Sequence, residues 1–159
     1  MLKKLTFSAF LLFIFFANTN FAQETFTQSD AQVSVTLPAG WQYETSDKMM
    51  IASPAEGGFF VYFKVLHVDA LDAALGEADQ ILAGQFKEIK LGDARNEVVN
   101  GMNAISVSGT ADGAQLFVGV LDTPAANISL LVWAMGTDDI ITKYSNDIAT
   151  ILTSIQPAK

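Results

Sequence analysis

The sequence predicts an α+β fold: a mostly antiparallel sheet of about six or seven strands with two helices, layered as an α/β/α sandwich. Three observations predict it. The run Phe59–Val68 is apolar on both of its alternating faces, so a layer must cover each side of that strand. Two segments, about Asp69–Lys87 and Asp138–Ser154, repeat apolar residues every three or four positions, as amphipathic helices do. Between them, Asn100-Gly101 and Asp112-Gly113 interrupt β-rich runs with the residue pairs that two-residue hairpins need.

The first 22 residues read as a secretory leader. Lys3 and Lys4 form a positive start, Leu5–Ala17 is almost wholly apolar, and Asn18, Thr19 and Asn20 lead to Ala22. The apolar run is shorter than the roughly 20 residues a bilayer span needs, so cleavage after Ala22 is expected, with Gln23 as the new N-terminus. Asn20 is an imperfect residue at the third position before the cut, and an uncleaved N-terminal anchor is the alternative. Residues 23–30 are polar and read as a flexible lead-in to a single α+β domain over 31–157.

Within the domain, Val33, Val35 and Leu37 alternate with Gln32, Ser34 and Thr36, the period of a strand, and Pro38-Ala39-Gly40 turns the chain. Trp41 and Tyr43 begin a second alternation, and Met49–Ala52 is a third apolar piece. After Glu56-Gly57-Gly58 comes the double-sided run, with Phe59, Val61, Phe63 and Val65 on one face and Phe60, Tyr62, Leu66 and Val68 on the other. The first helix carries Leu71, Leu75, Ala78, Leu82 and Phe86 on one stripe, with Asp69 as its expected cap. Gly76 and Gly84 weaken it by about 1 kcal/mol each relative to Ala, so packing must hold it. Four β-rich runs follow: Ala94–Val99, Asn103–Thr110, Ala114–Asp122 and Asn127–Ala134. The last helix starts at Thr137 or Asp138 and shows Ile141, Tyr144, Ile148, Ile151, Leu152 and Ile155 on one stripe before Pro157.

Composition narrows the chemistry. The chain of 159 residues has no Cys and one His, which excludes a disulfide scaffold, a cysteine nucleophile and a closed zinc site. Its formal charge is −8. Loss of Lys3 and Lys4 with the leader leaves seven basic residues against 17 acidic ones, a balance of −10. Such a surface disfavours nucleic acid and anionic membranes. The mature chain has no second apolar run long enough for a transmembrane helix.

The order of elements resembles the PsbP-like fold, shared by a photosystem II extrinsic subunit, a Ran-binding nuclear import factor and bacterial envelope proteins such as DcrB. Four stretches carry the resemblance: Val33-Ser34-Val35-Thr36-Leu37-Pro38-Ala39-Gly40-Trp41; the double-sided strand Phe59–Val68; the Asn100-Gly101 hairpin into Asn103–Thr110; and the close Ile151-Leu152-Thr153-Ser154-Ile155-Gln156-Pro157. Together they span nearly all of the mature chain. The resemblance implies a binding module more than an enzyme, and with a secretory leader it implies the bacterial envelope branch. It transfers no binding residue, because none of these stretches is a site motif.

Candidate chemistry is thin. His67 lies two residues before Asp69, but no Gly-x-Ser-x-Gly elbow supplies a nucleophile, and a strand-end histidine explains it better. No calcium loop motif is present, and Asp138-Asp139 reads as charge at a helix start. Gly57-Gly58 lacks the Gly-Lys-Ser/Thr of a phosphate cradle. No catalytic residue, metal ligand or cofactor is therefore expected. The aromatic residues Trp41, Tyr43, Tyr62 and Trp133 are the candidates for a ligand pocket between sheet and helix, against the plainer reading of core packing. The expected function is that of a small, exported, non-enzymatic protein of the bacterial cell envelope, periplasmic or secreted, binding another envelope protein or assisting an assembly. The alternative is a carrier for a small apolar ligand, and a minimal hydrolase using His67 ranks last.

Overall fold

The computed structural model describes residues 22–46 and 49–159. The leader read at 1–22 lies outside the described residues except for Ala22. The elements run β1 (Thr25–Gln28), β2 (Val33–Thr36), β3 (Trp41–Ser46), β4 (Met49–Pro54), β5 (Val61–Leu66), α1 (Leu71–Ala83), β6 (Ile89–Leu91), β7 (Arg95–Val99), β8 (Met102–Ala111), β9 (Ala114–Asp122), β10 (Ser129–Gly136), α2 (Asp138–Ser154) and β11 (Gln156–Pro157). An eight-stranded sheet has the order β3-β4-β5-β10-β9-β8-β6, with β7 also paired to β8. A small sheet has the order β1-β2-β11. Every pairing is antiparallel. The α+β sandwich expected from the sequence is present.

β5 lies inside the sheet between β4 and β10, and its two faces feed two separate cores. Phe59, Val61, Phe63 and Val65 join Ile151 and Ile155 from the end of α2 and Val33 and Val35 of the small sheet. Leu66 joins Leu131, Trp133 and Val118 beneath Ala74, Ala78 and Leu82 of α1. Each fully buried large apolar side chain contributes about 1.5–3 kcal/mol relative to exposure, so the double-sided strand anchors both layers.

Both expected hairpins form. Asn100 and Gly101 have φ of 47° and 85°, and Asp112 and Gly113 have 48° and 84°. Positive φ at both central residues matches the twist of antiparallel strands, and Asn, Asp and Gly reach it at low steric cost. The two polar residues also tie the hairpins to neighbouring segments. Asn100 Nδ2 donates to the Thr153 carbonyl at 2.8 Å and the Ile155 carbonyl at 2.7 Å, satisfying acceptors at the end of α2. Asp112 Oδ1 accepts from the backbone N–H of Lys87 at 3.0 Å and of Glu88 at 2.9 Å.

Several expectations need correction. Residues 23–30 are not a loose lead-in, because they contain β1, which pairs with β2 over four residues and buries Phe26 to 5 % exposure. A single large apolar side chain, flanked by β-branched Thr25 and Thr27, is enough to dock this strand. β2 belongs to the small sheet, since the turn at Gly40 (φ 83°) redirects the chain before β3 joins the main sheet. The strands β1, β6 and β11 are additional to those read from the sequence. These three have two to four residues each, too short for a periodic signal. α1 is shorter than 69–87 at both ends. It starts after Ala70, with no side-chain cap from Asp69, and closes at Gly84, whose N–H donates to the Gln80 carbonyl.

Candidate functional site

β3 forms one edge of the large sheet. Trp41 faces Pro54 across the β3–β4 ladder, and Tyr43 faces Ala52. The Ala55 N–H donates to the Gly40 carbonyl at 2.8 Å, which fixes the phase of the ladder. Hydrogen-bonded pairs in an antiparallel ladder alternate with unbonded ones. The bonded pairs are therefore Gln42 with Ser53 and Glu44 with Ile51. Pro54, which has no N–H, sits in an unbonded pair, as it must. The backbone N–H and C=O of Tyr43 and Thr45 then point away from the sheet. All of Gln42–Ser46 is exposed.

The side chains of β3 that face α2 line two grooves. Trp41 forms one wall of the first. Its ring meets Phe59 and Tyr144 edge-on, with centroids 6.1 and 5.9 Å away, while Phe59 and Tyr144 stack at 5.2 Å. The indole N–H donates to Asp147 Oδ2 at 3.0 Å. Glu56 Oε1 accepts from Tyr144 Oη at 2.7 Å and from Lys143 Nζ at 2.6 Å. Those bonds, the Lys143 one foremost, hold the Glu56 carboxyl below its ordinary range, and the Glu56 carboxylate in turn raises the Lys143 ammonium. The groove between these groups encloses about 530 Å³.

Tyr43, two residues on, points to the same side. Its ring lies 5.2 Å from that of Phe26, which in turn meets Phe63 edge-on at 5.5 Å. Phe26, Tyr43, Thr45, Met49 and Met50 line a second groove of about 320 Å³. Met50, whose side chain lies on the α2 face, gives it a wall that adapts to different side chains.

The four aromatic residues read from the sequence as one pocket do not come together. Trp41 and Tyr43 lie on the α2 side of the sheet, whereas Tyr62 and Trp133 lie on the α1 side. Tyr62 and Trp133 are direct cross-strand partners and stack at 4.8 Å, and Trp133 is only 2 % exposed. The sheet itself separates the pairs, so the shared pocket for a small apolar ligand is absent. Phe26, Glu56, Tyr144 and Asp147 are the groove residues that sequence reasoning missed. Tyr144 was visible only as one position of a helical stripe, and nothing local to the sequence links Asp147 to Trp41. His67 is exposed just beyond β5, and the hydroxyl of nearby Ser129 donates to the Val68 carbonyl at 3.1 Å. Among the described residues no three His, Asp or Glu side chains converge as metal ligands, and no helix is long and apolar enough to cross a membrane.

No family model matches the sequence, and no curated protein matches it significantly. Solved structures do match. The solution structure of cyanobacterial PsbP from Synechocystis superposes with a TM-score of 0.59 at 12% identity, covering 87% of this chain and 94% of the other. A Bacteroides thetaiotaomicron protein gives 0.54 at 11% identity over 85% of this chain and 48% of the other, so this chain spans about half of that one. A Pseudomonas aeruginosa protein of unknown function gives 0.52 at 13% identity over 86% of this chain and 98% of the other.

Proposed function

The fold is PsbP-like, and from that premise we propose that this chain is an exported, non-enzymatic binding module of the bacterial cell envelope that engages another envelope protein along β3. The observation that carries the reading is the outward backbone of Tyr43 and Thr45 between two aromatic grooves. Backbone groups that lack a partner within the sheet are recognition chemistry in themselves, and the grooves beside them accept side chains. Among the described residues the exposed large apolar side chains are Tyr43, Phe60, Leu91 and Val98, with Tyr43 on one edge strand of the large sheet and Leu91 and Val98 on the opposite edge, which favours recognition through an edge over recognition through one broad apolar patch. The leader pattern of Lys3 and Lys4 before an apolar run supports a periplasmic or secreted location.

The test is photocrosslinking in the native envelope. A photoreactive residue replacing Tyr43 should give a discrete adduct with one partner, and the same residue replacing Leu91, at the opposite edge, should not. Equal labelling from both positions, or none from Tyr43, would sink the reading.

A further inference from the structure

We infer that β3 accepts an added antiparallel strand from its partner: an extended segment carrying Lys or Arg, whose backbone pairs with Tyr43 and Thr45 and one of whose side chains enters the groove of Phe26 and Met50. The inference rests on the binding-module reading and specifies what is bound.

The two edges of the large sheet differ in a way that bears on this. On the far edge β8 is shared by two short strands. β6 pairs with Gly109–Ala111, β7 pairs with Met102–Ser106, and between them the Gly92 N–H donates to the Ser108 carbonyl at 2.9 Å. That edge is broken, and it carries Lys90, Asp93, Arg95 and Glu97. Short, interrupted and charged strands are how proteins block unwanted pairing. β3 is less guarded. It is one run of six residues with no Pro, no Lys and a single charge, Glu44.

Side chains directly opposite each other in a ladder share a face. A residue of the incoming strand set against Tyr43 or Thr45 therefore projects to the α2 side, where both line the smaller groove. The groove sets Phe26 and Met50 beside the hydroxyls of Thr27, Tyr43, Thr45 and Ser46 and the amide of Gln28, so an entering side chain meets both apolar contact and hydrogen-bonding groups. Charge selects the rest of the segment. Glu44 is the charge that β3 itself carries, whereas Glu56 is already paired with Lys143. A basic segment meets complementary charge along this border, and an acidic one meets repulsion.

Backbone amide exchange, followed by NMR on the full protein, tests the inference. The probe is a peptide of alternating Lys and Val, and the control alternates Glu and Val. In the free protein the amides of Gln42 and Glu44 should be protected by β4, while those of Tyr43 and Thr45 exchange freely. The Lys–Val peptide should slow Tyr43 and Thr45 about tenfold or more, the selective protection that a new ladder brings. Thr45→Pro removes an outward donor without breaking a β3–β4 bond, and should abolish the effect while Gln42 stays protected. Glu44→Lys keeps the backbone intact and should shift preference toward the Glu–Val peptide, so the test stands even if the proline variant misfolds. Unchanged exchange with the Lys–Val peptide, or equal protection by both peptides, overturns the inference. Protection that rises with protein concentration alone also overturns it, because a second copy would then fill the edge. A partner that still crosslinks at Tyr43 while the peptide experiment fails would remove strand addition and leave the binding-module reading in place.

Discussion

The indole N–H of Trp41 donates to Asp147 Oδ2 at 3.0 Å and so ties the outermost strand of the large sheet to α2, 106 residues further along the chain. A partly buried hydrogen bond to a carboxylate is worth about 1.5–3 kcal/mol. Trp41→Phe keeps an aromatic ring against Phe59 and Tyr144 but loses the donor, and should destabilise by about 2 kcal/mol in urea denaturation on that basis. Asp147→Asn keeps an acceptor and should cost clearly less. Equal losses from the two variants would mean that ring packing, and not the hydrogen bond, holds β3 to the helix.

Phe63 and Trp133 test the two cores separately. Each is 2 % exposed, and they lie on opposite faces of the sheet. Phe63→Ala and Trp133→Ala should each cost about 3–5 kcal/mol, the range for deleting a buried aromatic side chain. A nearly neutral result for Phe63→Ala would mean that the face under α2 and the small sheet is open.

At the first hairpin, Asn100 has two roles that substitution can separate. Asn100→Gly preserves the positive-φ turn and loses the bonds to the Thr153 and Ile155 carbonyls. Asn100→Ala loses both, and should cost roughly 1–2 kcal/mol more than the glycine variant, the penalty of a left-handed conformation for a residue with a Cβ. Thermal or chemical denaturation of the pair reads the difference directly. Identical stabilities would show that the turn conformation imposes no cost on alanine.

The Glu56–Lys143 contact gives a signed pH dependence. Glu56 is held below its ordinary value of 4.5, first by the hydrogen bond from Lys143 and then by that from Tyr144. A lowered carboxyl contributes stability above its unfolded value and loses it as pH falls through the folded value. Lys143 is raised, so its share is present below 10.5 and fades only as pH climbs beyond that value. Wild type should therefore exceed Glu56→Gln in melting temperature at neutral pH, and the gap should close on acidification below about pH 4.5. Both side chains are well exposed, so the gap should be small and should shrink with added salt. A gap that persists at pH 2, or grows with salt, contradicts this account.

Export and the absence of turnover are also open to measurement. Intact-mass analysis of the protein from the envelope or medium should give a chain starting at Gln23 or within a few residues of it. A dominant full-length species would contradict cleavage of the leader. A broad esterase and glycosidase screen should find no activity that His67→Ala removes, and turnover lost in that variant would make the protein an enzyme.

Local features of the chain follow from its residues alone. Period-two alternation over Phe59–Val68 required cover on both faces, and both cores meet at β5. Asn-Gly and Asp-Gly needed positive φ, and both turns adopt it. The helical stripe carrying Ile148 and Ile151 placed α2 on a core, because side-chain direction along one helix follows from spacing alone. Which aromatic residues meet depends on how the strands pair. Within a strand, alternation fixes the relative face of each residue; between strands the face depends on register, and a one-residue slip would reverse it. Trp41 and Trp133 look equivalent as sequence, yet pairing of Trp41 with Pro54 and of Trp133 with Tyr62 sends them to opposite sides of the sheet. The same holds for β1. Four residues with one large apolar side chain carry no periodic signal, and they become a strand only because β2 offers a ladder and Tyr43 and Phe63 offer a place for Phe26. The outward phase of Tyr43 and Thr45 likewise exists only once β3 and β4 have paired, since it is the ladder that divides a strand's backbone groups into bonded and free.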